Sequence, residues 1–329
     1  MSAVAPPSAL RSTSVQAVAW IGLLGAAALP WLLQALGAEF YLSTASRILI
    51  FAIAATSLNL ALGYGGMVSL GHAAFFGLGA YATGVMLHEG VLGGGVHLLT
   101  TVGVVGVAAL AIGAISLRTR GVYFIMITLA FAQMLFYLAN SIKAYGGDEG
   151  LTLKLRSTLP WGGSLRDAAT LYWLVLALLA LSLWLLQRFA QSRAGLVVRA
   201  LRDDELRAES LGLPGFATKL AVFVVAAVVC GLAGALSVNL QGYVSPNTLH
   251  WTQSGTLMVM VILGGPGTVW GGVLGAVALL LLEEILSAHT PYWEFWTGCA
   301  LLLVVVFAPK GLAGVWRQWR LSRYSRRRG

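Results

Sequence analysis

Long apolar runs joined by short polar segments set the pattern of this chain. A helix that crosses lipid hydrocarbon needs about 20 apolar residues, somewhat fewer where protein shields it. On that ruler, runs fall near 16–37, 46–63, 66–87, 96–117, 121–141, 169–187, 218–239, 254–264, 267–287 and 294–309. They predict an all-α, polytopic membrane protein of about ten transmembrane helices, some short or broken. The first run is long, has a weak basic flank and lacks a small-x-small cleavage site, so it reads as an uncleaved helix rather than a secretory signal. Residues 1–15 are expected to be a disordered N-terminus, 16–309 the membrane domain, and 310–329 a basic tail.

One polar stretch stands out between apolar neighbours: Ala194–Leu220, AGLVVRALRDDELRAESLGLPGFATKL. Arg199, Arg202 and Arg207 alternate with Asp203, Asp204, Glu205 and Glu209, while Leu196, Ala200, Ala208 and Leu211 recur at roughly helical spacing. Gly212 and Pro214 would stop the helix. The pattern fits either a solvated loop whose charges fix topology or a short amphipathic helix that docks on a soluble partner.

Two apolar stretches carry breakers. In GGPGT, Gly264, Gly265, Pro266, Gly267 and Thr268 interrupt the run 254–287 and divide it in two. Gly63–Gly84, GYGGMVSLGHAAFFGLGAYATG, is too glycine-rich for a simple lipid-facing helix. Irregular backbone at membrane depth must be covered by protein or line a wet cavity. Ala73/Gly77, Ala80/Gly84, Gly231/Ala235 and Gly271/Gly275 form small-xxx-small pairs suited to close helix contact.

Composition supports the membrane reading: mean hydropathy is +0.82 and only 10% of residues are charged, against about 25% in soluble domains. The net charge of +9 does not indicate nucleic acid, because the basic residues form no face with interleaved aromatics. Lys310, Arg317, Arg320, Arg323, Arg326, Arg327 and Arg328 cluster without an acid in the tail, the pattern of a cytoplasmic segment beside anionic lipid. Ten crossings then put the N-terminus, Arg118, Arg120, and the 194–217 loop with its flanking Arg188 and Arg193 on the same cytoplasmic side. Cys230 and Cys299 lie in apolar runs and read as packing residues.

Reactive constellations are missing. The sequence has no G-x-x-x-x-G-K-[ST] phosphate loop, no H-E-x-x-H and no paired Cys/His spacing, so catalytic and metal-binding residues are expected to be none. Acids at mid-span, common in ion-driven carriers, are nearly absent. Neutral polar residues remain, among them Thr56, Ser57, Asn59, Thr128, Gln133, Asn239 and Gln241, which should face the interior or a solute path. Asn59, Ser69, His72 and Gln133 are candidates for the path or a hinge, together with Gly264–Gly267; His72 reads as packing or path lining rather than catalytic.

Jointly, several stretches are specific. SLNLALGYGGMVSLGHAAFFGLGAY (Ser57–Tyr81), RTRGVYFIMITLAFAQM (Arg118–Met134), GGDEGL (Gly146–Leu151), RALRDDELRAESLGLP (Arg199–Pro214), VILGGPGTVWGGVLGA (Val261–Ala276) and FAPKGLAG (Phe307–Gly314) resemble the permease subunits of high-affinity branched-chain amino-acid ABC importers, of the LivM type. The resemblance spans about residue 46 to Gly314. It implies a non-enzymatic permease of the type II ABC importer kind in the bacterial inner membrane. A second related permease, two cytoplasmic ATPases that use ATP and Mg, and a periplasmic binding protein are the implied partners, with no cofactor on this chain. Arg199, Arg202, Asp203, Asp204, Glu205, Arg207, Glu209, Gly212 and Pro214 would form the loop that couples to an ATPase. The stretch departs from the E-A-A-x-x-x-G pattern of other importers, with only Gly212 matching its glycine. Leucine, isoleucine and valine are the implied cargo, with urea, short amides and aromatic acids carried by close relatives. A stand-alone carrier and a membrane-embedded enzyme are the competing classes.

Overall fold

The computed structural model describes residues 13–35, 37, 40–159, 163–307 and 311–314. The expected N-terminal segment up to residue 12 and the basic tail from 315 on lie outside the described residues. The described part is all-α. Its helices are α1 (Thr13–Ala35), α2 (Phe40–Asn59), α3 (His72–His88), α4 (Gly94–Ser116), α5 (Val122–Ser141), α6 (Ala168–Gln191), α7 (Arg193–Asp203), α8 (Glu205–Ser210), α9 (Gly215–Gln241), α10 (Trp251–Gly264), α11 (Gly271–His289) and α12 (Trp293–Phe307). Six helices are long and apolar enough to cross a membrane: α2 with its terminal turn, α4, α5, α6, α9 and α11. The runs expected at 254–264 and 294–309 appear as the shorter apolar helices α10 and α12.

Burial separates core helices from peripheral ones. Within the apolar window of each, 72% of α2 and 61% of α9 is buried, against 17% of α5. Around α2 pack α6, α9, α10 and α11; α3 and α4 close on α9. Small residues permit these approaches. A Cβ on Gly79 would drive into the Gly231 carbonyl and one on Gly234 into that of Phe76, so α3 and α9 touch backbone to backbone. The expected Gly271/Gly275 pair does the same for α10 against α11, where Gly275 faces the Met260 carbonyl.

Two sequence expectations need correction. The third run does not begin at 66: α2 ends in a π turn, Leu60–Tyr64, and α3 starts only at His72. Irregular backbone is therefore confined to 60–71, and Gly77 to Gly84 sit in regular helix. The 194–220 stretch, expected to hold one amphipathic helix, holds two. The break is Asp204, which leaves helical geometry (φ −156°, ψ 99°) and caps α8 by accepting the Arg207 amide.

The loops gather at two ends. At one, the α2–α3, α4–α5, α6–α9 and α10–α11 connections meet. At the other, residues 142–159 and 163–167 cover the bundle: β1 (Leu151–Thr152) pairs antiparallel with β2 (Tyr243–Val244) just after α9, in the register Leu151↔Val244. Asn239 at the end of α9 accepts the Ser157 amide at 2.9 Å, and His97 bonds the Ser157 hydroxyl at 2.7 Å.

Candidate functional site

The α7–α8 pair sits across the first end of the bundle, and local chemistry accounts for its shape. Ser192 caps α7 by accepting the Gly195 amide at 3.2 Å. Gly195, Val198 and Leu201 form the buried face of α7, and Ala208 that of α8. Gly212, at φ +81°, ends α8 in left-handed geometry, as expected from the sequence.

Its charged residues divide by direction. Arg199 turns back, donating to the carbonyls of Gly195 at 3.2 Å and Ala190 at 3.0 Å, which caps the C-terminus of α6. Glu205 pairs with Lys219 of α9 at 2.8 Å and Arg120 of the α4–α5 loop at 3.3 Å; Arg120 also approaches Glu209 at 3.7 Å. These ions hold α8 against the membrane helices. Arg207 and Asp204 pair locally at 3.5 Å in the open, and Asp203 and Pro214 are exposed. Three large apolar side chains of this segment are exposed: Leu196 of α7 by 58%, Leu206 by 68% and Leu211 by 76%.

Arg202 reaches the third direction. Its Nη1 donates to the carbonyl of Gly63 in the π turn after α2. Asn59, the last residue of α2, accepts the Gly267 amide at 2.9 Å with Oδ1 and donates from Nδ2 to the Thr268 carbonyl at 2.6 Å. The structure thus brings together Arg202, Asn59, Gly267 and the turn Gly264–Gly267, residues singled out separately in the sequence. Gly264 and Gly265 are buried and Pro266 is exposed at the tip of that turn.

The other path candidates are not gathered there. Ser69 and His72 are, like Asn59, fully buried. The Ser69 hydroxyl accepts the Gly71 amide at 3.1 Å at the start of α3. The His72 ring is enclosed edge-on by Phe75 and Phe223, and neither ring nitrogen has a hydrogen-bond partner. Gln133 alone of the four is partly exposed, on α5. Among the other neutral polar residues, Ser57 and Thr128 bond carbonyls of their own helices. Arg120 and Lys219 were not recognised as site residues, although the charge count already placed Arg120 on the side of the 194–217 loop.

Among the described residues no group of three or more His, Cys, Asp or Glu stands together as a metal site. The geometry offers instead an exposed two-helix platform wired to the membrane helices.

Comparison with known proteins gives one family: residues 40–308 match the model described as "Branched-chain amino acid transport system / permease component". The chain is similar to the high-affinity branched-chain amino acid transport system permease protein LivM of Salmonella typhimurium, 29% identical over 291 residues, covering 82% of this chain and 68% of the relative. LivH of Escherichia coli K12, from the system of the same name, is 24% identical over 284 residues, with 80% of this chain and 91% of the relative covered. The autoinducer 2 import system permease protein LsrC of Yersinia pseudotuberculosis is 29% identical over 162 residues, 47% of this chain and 45% of the relative. No solved structure matches the chain.

Proposed function

The chain belongs to the permease component family of branched-chain amino acid transport systems, and from that premise we propose that it is the transmembrane subunit of an ATP-driven importer of leucine, isoleucine and valine. It is a transport subunit; two ATPases, a second related permease and a solute-binding protein complete the machine. In this reading all ten apolar helices cross the inner membrane, with both termini and the α7–α8 end in the cytoplasm. Arg118, Arg120, Arg188, Arg193, Arg199, Arg202, Arg207 and Lys219 lie at that end, which fits the excess of basic residues on cytoplasmic loops.

One observation carries the proposal. α8 is held to the membrane helices by Glu205 and Glu209, while Leu206 on it and Leu211 just after it are exposed. Apolar side chains presented by a short helix on a polar end are suited to a cleft on a soluble partner. Nucleotide-driven movement of that partner would reach the spans through α7 and α8. Gln133, on the least covered spanning helix, is the path candidate that borders the second permease.

A gentle detergent pull-down of the tagged chain from its native membrane tests this. A co-purifying ATPase, a related permease and a binding protein that takes leucine are expected. A binding protein that took urea or benzoate instead would reassign the cargo. A chain that purified alone and moved solute unaided would overturn the class.

A further inference from the structure

Three segments distant in sequence meet at the carbonyl and α-carbon of Gly63. The first is α7, whose Arg202 donates to that carbonyl. The second is the end of α2: the amides of Gly65, Gly66 and Met67 reach back to Leu60, Leu62 and Ala61, passing Gly63 by, and its carbonyl is taken by the guanidinium. The third is the α10–α11 turn, read by the Asn59 amide group at both Gly267 and Thr268.

The fit leaves no slack. A Cβ on Gly63 would strike Asn59 Oδ1 and the Gly267 amide nitrogen, and a Cβ on Gly66 would stand 2.8 Å from Arg202 Cγ. Gly267 holds φ +75°, and a Cβ there would lie 3.1 Å from the Gly63 carbonyl oxygen and 3.4 Å from Arg202 Nη1. Asn59 is fully buried and the Gly267 and Thr268 groups it binds are half-buried, so its two bonds are partly shielded from competing water. A guanidinium–carbonyl bond is charge-assisted and stronger than a neutral one. π turns concentrate at functional positions in helices, and their unpaired terminal carbonyls need partners.

We propose that Arg202 is a positioning residue whose bond to Gly63, extended by Asn59 to Gly267 and Thr268, passes displacement of the α7–α8 pair to α2 and to the α10–α11 hairpin. Arg202 is exposed overall, but its Nη1 is committed to the permease's own Gly63 carbonyl rather than to a partner. This rests on the reading above that α7 and α8 engage an ATPase. Because α2 packs on α6, α9, α10 and α11, a pull at its inner end reaches most of the bundle, whereas the peripheral α5 receives it only indirectly.

The test uses the complete importer in proteoliposomes and measures leucine taken up per ATP hydrolysed. Arg202→Gln keeps a polar side chain but is shorter and loses the charge and the forked donor that reach Gly63. It is expected to leave ATPase co-purification and ATP hydrolysis in place and to lower uptake per ATP about tenfold, the scale of one lost charge-assisted bond. Arg202→Lys, which can still donate to one carbonyl, should recover part of the ratio. Asn59→Asp, unable to donate to Thr268, should lower the ratio independently, and it decides the matter if Arg202→Gln does not accumulate. Unchanged uptake per ATP in these variants would overturn the linkage. Loss of ATPase co-purification with Arg202→Gln would also overturn it, by placing Arg202 in the docking face. Failure of the wild-type complex to retain an ATPase would instead defeat the underlying reading.

Discussion

The two ends of the helix bundle take up their polar groups by different means. At the end covered by residues 142–159 and 163–167, partners come from within the chain. His97 bonds Ser157 and the Val91 carbonyl, Asn239 bonds Ser157 and the Ala235 carbonyl, and Leu153 donates to Gly242. At the α7–α8 end the charges of Glu205 and Glu209 are likewise taken up internally, yet Leu206 and Leu211 remain uncovered. At the covered end the polar groups find partners within the chain, although Ile142 and Leu155 are exposed there. At the other the carboxylates are taken up internally while Leu206 and Leu211 stay exposed on a short charged segment. The difference separates residues that shape the protein from residues available to a partner.

That contrast can be broken or sharpened by substitution. The largest effect is expected from Leu206→Asp combined with Leu211→Asp. Central apolar anchors contribute about 2 kcal/mol or more each to an interface, so ATPase retention on size exclusion should fall roughly a hundredfold or more. Thermal unfolding of the isolated permease should not move, since neither side chain is packed within the chain. Undiminished retention would remove the leucines from the interface.

Gly63→Ala comes next. Its methyl group has no space beside Asn59 and Gly267, and overpacking of this kind costs about 1–3 kcal/mol. A lowered unfolding temperature in detergent is expected; an unchanged one would mean that the π turn yields easily.

At the opposite end, Asn239→Ala leaves the buried Ser157 amide without its acceptor. The cost is about 1–3 kcal/mol, seen as reduced thermal stability with uptake per ATP unchanged. A changed ratio would give this end a part in coupling. The smallest effect is expected at Asp167, which caps α6 by accepting the Thr170 amide at 2.9 Å and hydroxyl at 2.7 Å. Asp167→Ala should cost about 1 kcal/mol. The Thr170 bonds hold this carboxyl below its ordinary value of 3.8. Its contribution is therefore complete above pH 3.8 and lost as pH falls through the lower folded value. Denaturant titrations of wild type and variant should converge only in that acid range.

Much of the architecture was legible in the apolar runs, because a lipid-spanning helix satisfies its own backbone and needs only length and hydrophobicity. The breaker GGPGT marked the α10–α11 turn for the same local reason. Direction was not legible. Asp204 reads as one more acid in a charge run, and only its backbone angles make it a helix cap. Arg202 and Arg199 are alike in sequence; one holds Gly63 and the other caps α6. Asn59, a path or hinge candidate by sequence, ties two segments separated by more than 200 positions, a pairing that no local spacing encodes. His72 reads in sequence as packing or path lining; its enclosure by Phe75 and Phe223 depends on the α3–α9 crossing and is not legible there.

The most direct measurement of the central claim is leucine uptake into proteoliposomes containing this chain alone, and then the assembled complex with binding protein outside and ATP inside. Uptake that requires the ATPases and ATP, with none from the chain alone, is the expected result. Leucine accumulation by the isolated chain, without nucleotide, would contradict it and return the protein to the class of stand-alone carriers.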